Sequence, residues 1–125
     1  MSVPYPLFAF EKDNASMRLV EKPDELFYHL EEIDIENDEY LFWDANGAGV
    51  RVRVVNRKNA AVEQAQTGKR LRDAFQAYAQ SRGLVVDVEG APMEVWHRIQ
   101  EEIEKLPKGK TFLEKFFGPR APRKP

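Results

Sequence analysis

Few side chains in this chain have the type and spacing for covalent chemistry. There is no cysteine, so no thiolate nucleophile and no disulfide framework. The serines are Ser2, Ser16 and Ser81, and none stands in the G-x-S-x-G turn that exposes a nucleophile. His29 has Glu25 four residues before it and Glu32 three after; His97 has Glu101 four after. These spacings place side chains on one helix face and offer two metal ligands each. Two ligands do not complete a site, and H-E-x-x-H is absent. No catalytic residue, metal or cofactor is expected.

The acidic run Glu31, Glu32, Asp34, Glu36, Asp38 and Glu39 is the densest chemical feature. It is not a calcium loop: counting from Asp34, Glu39 stands where a glycine is needed and Ala45 where a glutamate is needed. A hydrolytic carboxylate pair would need one sheltered acid of raised pKa, and no residue type here marks one. Acids at the end of a helix oppose its dipole. A partner with a basic surface accounts for such a placement, because complementary charge speeds encounter. The partner-binding set is therefore Glu31, Asp34, Glu36, Asp38 and Glu39, with Trp43 or Tyr40 as an aromatic anchor if exposed. The alternatives are a solvated loop, or neutralisation by Arg51 and Arg53 on a nearby strand.

Thr67-Gly68-Lys69-Arg70 falls short of a phosphate loop, which would need glycine at Glu63 and a hydroxyl at Arg70. It still places Lys69 and Arg70 at the start of a helix, where an anion can be held. With Lys108, Lys110, Lys115, Arg120, Arg123 and Lys124 they form a second candidate surface, for an anion or nucleic acid. No zinc finger or RNA-binding signature accompanies them.

These residues must be positioned by a small set of elements. Leu7–Phe10 and Met17–Val20 read as a hairpin around Asp13-Asn14. Pro23, Asp24 and Glu25 open a helix over 23–33, with Leu26, Phe27, Leu30 and Ile33 on its apolar face. Ile33 and Ile35 alternate with acids as the chain leaves it, and both isoleucines are expected to turn inward. Tyr40–Trp43 and the alternating Val50, Val52 and Val54 flank a glycine-bearing hairpin loop. Residues 57–67 read as a further strand in preference to a helix, and Thr67 is placed to cap the next helix, over 68–82, which Gly83 stops. A third helix begins near Pro92, with Val95, Trp96, Ile99, Ile103 and Leu106 inward and the pairs Glu94–Arg98 and Glu101–Lys105 outward. Phe112, Leu113, Phe116 and Phe117 suggest a last short helix.

The 125 residues fit one domain, 1–117, with 118–125 a flexible basic tail. The fold class is α+β: an antiparallel sheet of four or five strands (β-hairpin, helix, β-meander), covered by helices on one face, with a helical C-terminal half. At 42% hydrophobic residues the chain can bury a core. Residues 1–50 hold 12 acidic and 3 basic residues, a net −9; residues 51–125 hold 9 acidic and 16 basic, a net +7. That asymmetry suits steering of a charged partner. No basic leader or membrane-length apolar stretch is evident, so a cytoplasmic, water-soluble protein is expected.

Leu30 to Tyr40, running into Phe42-Trp43-Asp44-Ala45-Asn46-Gly47, resembles small uncharacterised bacterial α+β proteins. The chain is also similar in style to the immunity proteins of polymorphic toxin systems, small and often acidic domains that bind and block a toxin. The resemblance covers about residues 7–56 and implies a protein-binding module, a binding protein being favoured over an enzyme.

Overall fold

A computed structural model describes residues 3–56 and 59–106, without the side chain of His29. The strands are β1 (Leu7–Glu11), β2 (Ser16–Val20), β3 (Tyr40–Trp43), β4 (Gly49–Asn56) and β5 (Asn59–Gln64). The helices are α1 (Leu26–His29), entered through a 3-10 turn at Pro23–Glu25, α2 (Glu32–Glu36), α3 (Leu71–Ser81) and α4 (Pro92–Glu104). All neighbouring strands are antiparallel, in the order β2-β1-β3-β4-β5. The protein is thus α+β with a five-stranded antiparallel sheet, and residues 57–67 do contain a strand. Because β2 and β3 both run against β1, they are parallel to each other. They therefore need a crossover, which α1 and α2 provide.

Helices cover both faces of the sheet, where one was expected. Leu7 and Ala9 pack with Leu26, Leu30, Ile35, Phe42 and Val50, whereas Phe8 and Phe10 pack with Trp43, Phe75, Val95 and Ile99. The cause lies in β1: four consecutive apolar residues put two apolar side chains on each face, as in a central strand buried on both sides. Phe8 meets Phe75 edge to face at 5.4 Å, and Tyr78 stacks on Trp96 at 6.1 Å.

The single helix expected over 23–33 is broken. Leu30 leaves the helical region (φ −127°, ψ 145°) with its side chain buried, and α2 starts again after it. The break rotates the register: Ile35 is buried and Ile33 is 60% exposed, against the expectation that both turn inward. It also puts Glu32 and Asp34 in the first turn of α2, where acids complement the helix dipole.

In α3, Leu71, Ala74, Phe75, Tyr78 and Ala79 form the buried stripe. Gly83 (φ 73°) ends the helix as expected, and the amide of Leu84 donates to the Ala79 carbonyl. Thr67 does not cap α3. Arg70 occupies that position without a side-chain cap, while the Thr67 hydroxyl donates to the Lys69 carbonyl. The surface pairs of α4 also differ. Arg98 donates to the carbonyls of Asp87 and Glu89, and Lys105 pairs with Glu102 at 3.0 Å. The expected helix at 112–117 and tail at 118–125 lie outside the described residues. Among the described residues no helix is long and apolar enough to cross a membrane.

Candidate functional site

The acidic residues gather at one corner of the sheet. Glu31 is the residue before α2, Asp34 lies within it and Glu36 ends it. Asp38, with a positive φ of 60°, turns the chain into Glu39 and β3. Glu31, Glu36 and Asp38 are exposed, and Asp34 and Glu39 are half-buried. The pairing of Glu11 with Tyr40, and a hydrogen bond from the Lys12 amide to the Glu39 carbonyl, bring the first hairpin to the same corner. Two further acids, Glu11 and Asp13, thereby join the set. Desolvation, then the charges of Asp34, Asp13 and Glu11, hold the Glu39 carboxyl above the ordinary carboxylate range. Burial and then the charges of Glu11 and Asp34 raise the Tyr40 hydroxyl likewise.

Lys12 pairs with Asp38 at 3.4 Å. Arg51 and Arg53, the expected neutralising residues, instead reach Glu63 on β5 at 3.7 and 3.9 Å. The β4–β5 register sets Arg51 opposite Glu63, so both arginines lie beside one carboxylate of their own hairpin.

Trp43 does not belong to this surface. It is 1% exposed, and Tyr40 is 6% exposed. Their positions in β3 direct them into opposite cores, so neither can serve as the aromatic anchor. The exposed apolar side chains near the acids are Tyr28 (77%) and Ile33 (60%), on the α1–α2 segment. Sequence periodicity hides them, because an unbroken helix would turn Ile33 inward.

A second feature is a cleft of about 460 Å³ between the β3–β4 loop, the segment before α3 and the start of α4. Trp43, Leu71, Phe75, Val88 and Val95, all buried, line its depth. Lys69, Arg70 and Arg72 line its mouth. The structure thus joins Trp43 to the Lys69 and Arg70 pair, not to the acids: the Trp43 indole Nε1 donates to the Lys69 carbonyl at 3.1 Å. Arg72, which sequence reasoning missed, enters because α3 begins at Leu71, placing residue 72 on its first turn.

Asp44 fixes the loop above the cleft. Its buried carboxylate accepts from the amides of Asn46 (2.8 Å) and Ala48 (3.0 Å) and from the Gln64 side chain (2.7 Å). These bonds make it a structural acid, satisfied where it is buried.

His97 is exposed on α4, and the His29 side chain is outside the described residues. Among the described residues no three His, Asp or Glu side chains gather in a metal-binding arrangement. No family model, curated protein or solved structure matches the chain.

Proposed function

We propose that this protein is a cytoplasmic protein-binding module, of the immunity-inhibitor type, that docks a basic partner on its acidic corner. The observation carrying this reading is the convergence of Glu11, Asp13, Asp34 and Glu39 from separate elements, close enough to raise Glu39. Like charges held together oppose folding, and a cationic partner relieves the repulsion while gaining encounter rate. Arg51 and Arg53 are engaged elsewhere by Glu63 and Lys12 by Asp38, which leaves an excess of negative charge at the corner for a partner. Tyr28 replaces Trp43 as the aromatic anchor, being exposed on the same crossover segment that carries Glu31, Asp34 and Glu36.

The test is affinity capture from the native host with the wild type and with Glu36→Lys/Asp38→Lys/Glu39→Lys, both checked for folding by thermal melts. A specific protein should be retained by the wild type, weaken with salt, and be lost from the charge-reversed variant. Equal retention by both would remove the acidic corner from the account.

A further inference from the structure

We propose that the cleft at the start of α3 binds a small organic phosphate built on a flat apolar body. This site is separate from the acidic corner and stands whether or not that corner docks a protein. Its volume of about 460 Å³ lies within the range of small-molecule sites. Its chemistry is two-sided. The depth is apolar and aromatic, through Trp43, Leu71 and Phe75, which suits a ring. The mouth carries Lys69, Arg70 and Arg72, which suit a dianion.

The three cations are not equally committed. Arg70 reaches Asp73 at 3.3 Å and Arg72 reaches Glu89 at 2.8 Å. Lys69 has no carboxylate within ion-pair distance among the described residues; its ammonium lies 6.0 Å from the centre of the Phe10 ring. Half-buried beside an apolar cleft, and with only an aromatic ring rather than a carboxylate near its ammonium among the described residues, it is the cation that a ligand would satisfy. Its backbone is fixed by the Trp43 and Thr67 bonds to its carbonyl, so the stem leaves from a set point. Gly47, at φ 87°, also lines the cleft, and a Cβ there would make ordinary contact with Pro92 (3.7 Å) and Leu71 (3.8 Å), both cleft residues. The cavity and Lys69 carry the inference. The uncapped first turn of α3, which also lines the cleft, adds amide donors on the same side.

The experiment titrates the full chain with 1-naphthyl phosphate, inorganic phosphate and neutral 1-naphthol, following amide shifts by NMR and heat by calorimetry. Saturable binding of the naphthyl phosphate is expected, with shifts at Gly47, Lys69 and Leu71 and at the Trp43 indole. Both inorganic phosphate and naphthol should bind roughly tenfold or more weakly, since each lacks one half of the recognition. Lys69→Gln should lower affinity roughly tenfold. Arg70→Gln, at a side chain 72% exposed, supplies a second variant that leaves packing untouched and should weaken binding in the same direction. Shifts confined to other surfaces, equal affinity for naphthol, or equal affinity for bare phosphate would each overturn the proposal. Tight, salt-sensitive binding of an RNA oligonucleotide without saturable naphthyl phosphate binding would also overturn it, and would assign these cations to a nucleic acid.

Discussion

Trp43 and Lys69 are joined by the hydrogen bond from the indole Nε1 to the Lys69 carbonyl, 3.1 Å long and spanning twenty-six residues of chain. The bond ties the middle strand of the sheet to the turn that starts α3. It couples a core residue to the cation at the mouth of the cleft. Trp43 also meets Phe10 at 6.5 Å, so one side chain serves both packing and positioning. Trp43→Phe keeps part of the ring but removes the donor. A loss of about 1–3 kcal/mol is expected from the combined packing and hydrogen-bond terms. Urea unfolding should show a lower midpoint at unchanged slope; an unchanged midpoint would mean that the bond and the bulk contribute nothing.

Asp44 carries the β3–β4 loop on a buried carboxylate. Asp44→Ala strips the acceptor from two amides and the Gln64 side chain. The expected cost is about 2–3 kcal/mol. Asp44→Asn should recover part of it, because the remaining carbonyl can still serve the amides. Thermal melts of the two variants check the order; equal losses would show that the carboxylate's charge, and not its acceptor geometry, is what matters.

Glu39 supplies a pH test. Its folded-state pKa is raised, so protonation favours the folded state. That contribution is present at low pH and is lost as the pH rises through the raised carboxylate value. Glu39→Gln should therefore be more stable than the wild type at neutral pH, with the difference shrinking as the pH falls through the raised carboxylate value toward the ordinary glutamate value. Melting temperatures from pH 3 to 7 measure it. A variant less stable than the wild type at pH 7 would mean that the carboxylate has a favourable partner.

Two glycines should respond oppositely. A Cβ on Gly49 would lie 2.3 Å from the Ala65 carbonyl oxygen, in the hydrogen-bonded approach of β4 to the segment after β5. Gly49→Ala must shift backbone and should cost about 1–3 kcal/mol. Gly68 has open space around it and is not among the residues of positive φ. Gly68→Ala should be neutral or stabilising by up to about 1 kcal/mol, through reduced freedom of the unfolded chain. Denaturant midpoints of both variants decide it, and a destabilised Gly68→Ala would reveal a constraint on that turn.

What the sequence determined by itself was local. The alternation of Val50, Val52 and Val54, the proline-led start of α4 and the glycine after α3 all act within a few residues, so β1 to β4, α3 and α4 were readable at nearly their true bounds, whereas β5 lay in a stretch that read as strand or helix. The acids were readable as a cluster because they are adjacent in the chain. The tertiary structure alone decided how those pieces face each other. Whether Ile33 points in or out depends on the backbone break at Leu30, whose side chain packs in the same core as Leu26 and Ile35. Whether Trp43 is a surface anchor or a core residue depends on α3 and α4 covering a face of the sheet that the first forty-three residues cannot cover themselves. Glu11 and Asp13 join the acids only because strand register brings distant positions within range, whereas Arg72 lines the cleft with Lys69 through the local start of α3 at Leu71. Burial and electrostatics are properties of that long-range packing, and no periodicity in the chain encodes which distant residue will supply the cover.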